Sequence, residues 1–298
     1  MEIKNLNYFI EKAKNTKKKK LVVAAAEDEP VLSAISEATK ENIIEPILVG
    51  NVKKIENIAS ELNFSLKGIE IINEENPAIS CRIAVNLIRE DKAQILMKGL
   101  VGTADYLRAI LDKENGLRKG DLLSHIGFFE LKSYHKILAL TDAAQNIAPS
   151  LEEKVSIINN SVDFLRRLGI EKPKVACVAA VETVTTKMQA TVDAALLSIM
   201  NRRNQIKGCI IDGPLGFDNA ISAEAAHHKG IISEVAGDVD LILTPDIQSG
   251  NVLYKSFTYM AGGTVAAVIL GATVPVILTS RADTDRSKLT SIALAACY

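Results

Sequence analysis

Compact apolar runs alternate with longer amphipathic segments along most of this chain. The runs are Leu21–Ala25, Pro46–Val49, Ile69–Ile72, Ala93–Met97, Lys136–Leu140, Lys174–Ala179, Gly208–Ile211, Val239–Leu243, Thr264–Leu270 and Val274–Leu278. They have strand length, and a helix-length segment separates most neighbours. Such alternation implies right-handed βαβ crossovers and a largely parallel sheet, so the expected class is α/β.

Three helices carry readable signals. Ser150-Leu151-Glu152-Glu153 forms a capping box, Leu151, Val155, Ile158, Val162 and Leu165 form an apolar stripe, and Gly169 stands where a left-handed C-cap is wanted. Asn76-Pro77 opens a second helix, with Ile79, Ile83 and Leu87 on one face. Met188, Val192, Ala195, Leu196 and Ile199 mark a third. All three stripes are expected in the core. A domain change is expected near Asn146–Pro149 with a return near Leu270–Thr273, giving a discontinuous first α/β domain (residues 1–145 plus 270–298) and a second over 146–269.

From Ser256 to Ser280 no residue is charged. Gly262, Gly263, Gly271 and Pro275 interrupt this stretch, which therefore reads as a helix end followed by two buried strands, not a membrane span. Composition narrows the function classes further. The chain has 298 residues, 48% hydrophobic and 24% charged, with a formal net charge of -1. That balance offers no overall basic field to nucleic acid or anionic lipid. The Lys17–Lys20 run is a solvated lead-in to the first strand. Cys81, Cys177, Cys209 and Cys297 lie far apart without a C-x-x-C pair, the pattern of reduced core residues in a cytoplasmic protein. The N-terminus lacks the apolar core of a signal peptide.

The chemistry concentrates near the C-terminus, in V-P-V-I-L-T-S-R-A-D-T-D-R from Val274 to Arg286. Ser280, Arg281 and Asp283 leave a buried strand together and precede a helix marked by Leu289, Ile292, Ala293 and Ala296. A hydroxyl, a fixed cation and a carboxylate at a strand-to-helix turn suit a phosphate-bearing or acyl-bearing substrate. Asp283 reads equally well as the N-cap of that helix.

Other strands also end in polar clusters: Lys98-Gly99-Leu100-Val101-Gly102-Thr103, Thr141 to Asn146, Asp212 to Asp218, and Thr244 to Asn251 with Lys255 one turn beyond. Clusters at the same ends of parallel strands converge on one rim. Asp142 and Asp218 are best explained by turn and N-cap chemistry. The Gly99–Thr103 segment lacks the spacing of a Walker loop or a dinucleotide fingerprint, yet its two glycines before a helix can present N–H groups to an oxyanion. Ser124 and His125 fit a structural or a functional reading equally. His227 and His228 are adjacent on a helix and therefore at the surface.

Several of these segments resemble one known family: M-K-G-L-V-G-T-A-D-Y-L, the T-D-A-A-Q-N turn, D-G-P-L-G-F-D-N-A-I, T-P-D-I-Q-S-G-N-V-L-Y-K and P-V-I-L-T-S-R-A-D, in an order that covers most of the chain from Ala93 onward. They resemble the phosphate acetyltransferase and phosphate butyryltransferase family. S-R-A-D and V-E-T-V-T-T-K-M-Q-A-T-V-D-A-A-L-L-S look more like the butyryl branch.

The resemblance implies a two-domain α/β protein of the isocitrate and isopropylmalate dehydrogenase type, a homodimer or larger assembly, with its active site between the domains. It also implies metal-free catalysis of acyl-CoA + phosphate ⇌ acyl phosphate + CoA. CoA or acyl-CoA is then a substrate and not a permanently bound cofactor, phosphate or acyl phosphate is the other ligand, and neither nucleic acid nor membrane is a partner. The expected catalytic residues are Ser280, Arg281 and Asp283. The expected substrate-binding residues are Lys98, Gly102, Thr103, Ser124, His125, Asn146, Asp212, Gly250, Asn251 and Lys255.

Two departures stand out. The butyryl branch commonly has N-P-K-M-P where this chain has Thr185-Thr186-Lys187-Met188-Gln189. The acetyl branch has a carboxylate several positions after S-R-G, whereas Arg286–Leu289 holds none, which leaves Asp283 or Asp285 for the base. Rival readings are a nicotinamide-dependent decarboxylating dehydrogenase of the same fold, and a non-catalytic binder of CoA esters or phosphate.

Overall fold

The computed structural model describes residues 2–278 and 283–298. Its strands are β1 (Lys19–Ala24), β2 (Ile44–Gly50), β3 (Glu70–Asn73), β4 (Ile95–Lys98), β5 (Ser124–Glu130), β6 (Leu138–Thr141), β7 (Lys174–Val178), β8 (Ile210–Leu215), β9 (Leu241–Leu243), β10 (Thr264–Leu270) and β11 (Val276–Ile277). Its α-helices are α1 (Asn7–Lys14), α2 (Glu29–Lys40), α3 (Val52–Glu61), α4 (Pro77–Arg89), α5 (Thr103–Ile110), α6 (Leu151–Arg167), α7 (Gln189–Arg202), α8 (Phe217–Ile221), α9 (Ala223–His228), α10 (Ile247–Lys255) and α11 (Asp285–Ala296). A π-helical turn, Ser256–Met260, extends α10.

Contacts divide the chain into two units, residues 1–6 with 121–265, and residues 7–120 with 266–298. The sequence-based boundaries fell at 145/146 and 269/270. The first crossing comes earlier because β5 is hydrogen-bonded to β6, and β6 to β9, which places the segment before Asn146 in the same sheet as the later strands.

In the unit of residues 7–120 and 266–298 the strand order is β3-β2-β1-β4-β11-β10. All neighbours are parallel except β10 and β11. Near-continuous burial of β1 (Leu21 to Ala24) and β4 (Ile95 to Met97) follows from helices covering both faces of a parallel sheet. Residues 287–296 of α11 are buried on every side, and that helix packs on α1 and α2.

The other unit has the order β5-β6-β9-β7-β8, parallel from β6 onward. β5 runs antiparallel to β6, with Gly127 opposite Leu140. The sequence pattern did not reveal this strand, because Ser124 and His125 open it and Gly127 interrupts it. Gly127 belongs there: a Cβ would stand 3.2 Å from both the Phe129 and Tyr254 rings.

The Ser150 capping box forms as expected and Gly169 has φ 105°. Two other stripes do not face the core. Ile79 is 41% exposed and Ile83 half-buried, because α4 turns Ser80, Cys81, Ala84, Val85, Leu87 and Ile88 inward. On α7 the buried face is Thr191, Asp193, Ala194, Leu197 and Ser198, and the apolar stripe of Met188, Leu196 and Ile199 is 40 to 50% exposed. The uncharged stretch after Ser256 folds as a helix end and two strands. Among the described residues no helix is long and apolar enough to cross a membrane.

Candidate active site

In the unit that contains β4, three parallel strands end on one rim. Ala24 pairs with Lys98, and Ile277 with Met97, so the chain leaves β1, β4 and β11 at the same level, at Ala25, Gly99 and Leu278. Open α/β sheets bind ligands outside such carboxyl ends. Gly99 is needed for the approach of its neighbour: a Cβ would lie 2.0 Å from the Ala25 carbonyl oxygen, while the Leu100 N–H donates to that oxygen at 2.6 Å. The half-buried Lys98 folds back on its loop, donating from Nζ to the carbonyls of Gly99 (3.1 Å) and Val101 (2.9 Å).

Gly102 is the N-cap of α5 and provides no side-chain cap, and Thr103 is the first helical residue. A Cβ on Gly102 would meet only Asp105 Oδ2, at 3.8 Å. No side chain caps the first amides of α5, and a helix start left uncapped is suited to an anion.

Ser280 and Arg281 fall outside the described residues. Asp283 is half-buried. It does not cap the last helix: Thr284 does, its hydroxyl accepting from the Ser287 N–H at 3.1 Å. The same rim holds a carboxylate that the sequence did not single out, buried Glu27, which accepts from the Asn51 N–H at 3.3 Å.

In the other unit a dense polar group gathers at the start of β5 and the ends of β6 and β9. Asp142 is buried, and its carboxylate takes four hydrogen bonds: from the N–H groups of Ala144 (2.8 Å), Gln145 (2.9 Å) and His125 (3.1 Å), and from Asn146 Nδ2 (2.6 Å). The turn reading of Asp142 is therefore right, its carboxylate being engaged by the turn and by the start of β5. Its preceding peptide bond, Thr141–Asp142, is cis.

Asn146 also donates to the Leu123 carbonyl (2.9 Å), and the fully buried Ser124 hydroxyl accepts from Asn160 Nδ2 (3.1 Å). Both residues thus spend hydrogen bonds on the fold. Asn251 donates to the Ala143 carbonyl at 3.2 Å, and Gly250 lets α10 approach the turn: a Cβ there would lie 2.4 Å from the Asp142 carbonyl oxygen. Lys255 is exposed at the end of α10.

His125 differs from its neighbours. It is buried, its ring is tilted against Tyr254 with centroids 5.6 Å apart, and its Nδ1 has no hydrogen-bond partner among the described residues. Burial pushes its pKa down, with the Asp142 charge opposing. A buried imidazole nitrogen without a partner among the described residues is a polar group that the fold alone leaves unsatisfied.

Asp212 stands apart from this set. β8 continues to Leu215, so Asp212 lies within the strand and not after it, and it lines a groove of about 1060 Å³ with Arg166, Lys172 and Cys209. Asp218 is also not a cap. Gly216 takes that position on α8, and Asp218 pairs with Lys229 at 2.9 Å. The sequence reading did not single out Asn160, which is half-buried on α6 and donates to the Leu122 carbonyl at 3.3 Å as well as to Ser124.

Among the described residues one trio has the spacing for a metal: Glu2, His135 and Asp238. Lys136 and Lys174 already hold Asp238 at 2.8 and 2.6 Å, and two ammonium groups repel a cation. Burial keeps the Cys81 and Cys209 thiols protonated, raising each to about 11.

Almost the whole chain matches known proteins. The family model described as "Phosphate acetyl/butaryl transferase" matches residues 5–83 and 78–296. The phosphate butyryltransferase of Clostridium acetobutylicum is 48% identical over 294 residues, 99% of this chain and 98% of that protein. The phosphate acetyltransferase of Thermotoga maritima is 42% identical over 293 residues, 98% of this chain and 99% of that protein. A branched-chain phosphotransacylase from Enterococcus faecalis superposes with a TM-score of 0.82 at 31% identity, over 94% of this chain and 98% of that one.

Proposed function

Because this chain belongs to the phosphate acetyl- and butyryltransferase family, we propose that it catalyses acyl-CoA + phosphate ⇌ acyl phosphate + CoA, with butyryl as its acyl group. The observation that carries the reading is the register of β4 and β11, through which the uncapped start of α5 shares a rim with the strand that runs into Ser280-Arg281-Ala282-Asp283. Identity of 46 to 48% to relatives named butyryltransferases, against 42% to the Thermotoga acetyltransferase, favours the four-carbon acyl group.

In the direction of acyl phosphate formation, a phosphate oxygen attacks the thioester carbonyl. The tetrahedral oxyanion collapses, the C–S bond breaks, and CoA leaves as a thiolate that takes a proton. In reverse, the CoA thiol, with a free pKa near ~8.5, needs a base as it attacks. Asp283 is assigned that proton. Arg281 and Ser280 are assigned the oxyanion, supplying a charge and a hydrogen bond where negative charge develops. Lys98, Gly102 and Thr103 on the rim of one unit, and Ser124, His125, Asn251 and Lys255 on the rim of the other, are each assigned to binding phosphate or the acyl phosphate group. Asn146 and Gly250 shape the rim, and Asp212 has no role in this reading.

CoA enters as substrate, with no permanently bound cofactor. The exposed apolar face of α7, formed by Met188, Leu196 and Ile199, supports a homodimer, since contiguous exposed apolar side chains mark association surfaces. Four free, buried cysteines fit a cytoplasmic location.

Thiol release from butyryl-CoA on addition of inorganic phosphate tests the activity. Initial rates with acetyl-, propionyl-, butyryl- and branched acyl-CoA rank the acyl groups. Absence of thiol release with all four would overturn the proposal.

A further inference from the structure

Glu27 is 7% exposed, and the bond from the Asn51 N–H at 3.3 Å is the single hydrogen bond its carboxylate makes among the described residues. No cation is paired with it among those residues, and Asp28 and Glu29 follow it directly, so two like charges oppose its own. A buried carboxylate with one long hydrogen bond and no counter-charge is expensive. Helix capping does not explain it. Asp28 is the N-cap of α2, accepting from the Val31 N–H at 3.3 Å, and Asn51 is the N-cap of α3, accepting from the Lys54 N–H at 3.1 Å.

The backbone around this carboxylate is itself shaped to hold it. Ala25 leaves β1 with φ 55°, a left-handed conformation that residues with a side chain adopt rarely and that gathers at functional sites. Two glycines flank the segment: a Cβ on Gly50 would lie 2.1 Å from Glu27 Oε2, and one on Gly99 would lie 2.0 Å from the Ala25 carbonyl oxygen. The Ala26 N–H donates to the Val49 carbonyl at 2.9 Å and the Gly99 N–H to the Ala24 carbonyl at 2.8 Å, so Ala25–Glu27 crosses the rim between the ends of β2 and β4. The strand order turns back at β1, with β2 and β3 on one side and β4 on the other, which is where open α/β sheets take ligands. Among the described residues Glu27 belongs to no cluster with metal spacing. An ionised carboxylate only accepts hydrogen bonds, so the partner that suits it is a donor.

We infer that Glu27 accepts a hydrogen bond from a hydroxyl of bound CoA, in the pantoyl or the ribose part of that molecule. The inference rests on the acyl-transfer reading and adds a residue that recognises CoA by its hydroxyl groups. The sign of the effect separates this contact from bulk electrostatics. CoA carries phosphate groups, so removing a nearby negative charge that makes no contact should tighten its binding. Removing a charge that holds a hydroxyl should weaken it.

Calorimetric titration measures Kd for CoA and for pantetheine, which has the pantoyl hydroxyl and no ribose, in the wild type, Glu27→Gln, Glu27→Asp and Asp28→Asn. Glutamine keeps an oxygen for the Asn51 N–H, and asparagine caps α2 as well as aspartate does. Loss of a hydrogen bond to a charged acceptor predicts that Kd for CoA rises roughly tenfold in Glu27→Gln. Glu27→Asp keeps the charge but withdraws it by one methylene; it should weaken binding in the same direction and gives the reading should the glutamine variant not fold. Asp28→Asn should bind CoA no more weakly than the wild type. A deficit that recurs with pantetheine assigns the pantoyl hydroxyl, one confined to CoA assigns the ribose, and either supports the inference. A Kd for CoA that is unchanged or lowered in the Glu27 variants would overturn it, as would a wild type that binds no CoA. Should the wild type bind CoA yet release no thiol from butyryl-CoA and phosphate, the acyl-transfer proposal fails alone, and the titrations still decide the role of Glu27.

Discussion

Lys154 Nζ and an Asp193 carboxylate oxygen meet at 2.6 Å with both residues buried, joining the first turn of α6 to α7. The other Asp193 oxygen accepts from Gln189 Nε2 at 2.8 Å. The pair borders a small internal space lined also by Cys177, Val178, Leu243 and Thr244, so it lies beneath the carboxyl ends of β7 and β9. Removing one partner strands a charge in that setting. Asp193→Ala should cost about 3–5 kcal/mol of unfolding free energy, while Lys154→Met combined with Asp193→Leu should be near neutral. Urea unfolding of the wild type and the two variants checks this, and a double variant as unstable as the single one would refute it.

A second charge cluster gives the protein an acid response of known sign. Burial alone would raise the Asp238 pKa, but Lys136, Lys174 and His135 at 2.6 to 2.9 Å outweigh it and hold this carboxyl well below its usual range. A carboxylate whose pKa is lower folded than unfolded stabilises the fold above its unfolded pKa and loses that contribution as the pH falls toward the folded value. Asp238→Asn should therefore lower Tm at neutral pH, and its deficit against wild type should narrow below about pH 4, the unfolded aspartate range. A deficit independent of pH between neutrality and acid would contradict the assignment.

Apolar runs disclosed the parallel strands and their order along the chain, because each is buried on both faces and needs no alternation. β5 stayed hidden because its first two residues serve the rim and its glycine serves an aromatic contact. The α7 stripe shows the opposite limit. Met188, Leu196 and Ile199 have helical spacing, but spacing identifies an apolar face without saying whether the same chain covers it. The position of Lys98 at the end of β4, and of Gly102 and Thr103 at the start of α5, was legible from the strand-to-helix pattern alone. Asn146 and Ser124 carry a further duty that spacing does not show, bonds with Asp142, Leu123 and Asn160, partners that depend on tertiary contacts.

Gly250 tests how closely α10 must approach the 141–143 turn. A methyl group would fall 2.4 Å from the Asp142 carbonyl oxygen and 2.8 Å from Thr244 Oγ1, and the first of these belongs to the backbone. Gly250→Ala should destabilise by about 1–3 kcal/mol, as overpacking does, and should raise KM for phosphate by moving Asn251. Thermal melting and phosphate titration read the two effects separately, and an unperturbed variant would show that the turn yields easily.

The exposed face of α7 makes a prediction about assembly. If it is covered by a second copy, Leu196→Glu with Ile199→Glu places like, unpaired charges in an apolar contact and should convert a dimer to a monomer. Light scattering at micromolar concentration measures the mass. A dimer that survives both substitutions would move the interface elsewhere.

Arg281 carries the heaviest catalytic assignment, and its substitution separates chemistry from fold. An arginine offers a planar fork of donors to an oxyanion, a geometry that lysine's point charge does not reproduce. Loss of one preorganised oxyanion group typically lowers kcat by roughly 10²–10³-fold. Arg281→Ala should reach that range, Arg281→Lys should recover only part of it, and both should melt at the wild-type temperature. Asp283→Asn should act differently: it removes a base and not a charge acceptor, so its defect should shrink as rising pH ionises the CoA thiol, whose free pKa is near ~8.5. Arg281→Ala should show no such recovery, because the oxyanion forms at every pH. Parallel pH profiles of kcat for the two variants, in the direction of acyl-CoA formation, would refute this division of labour.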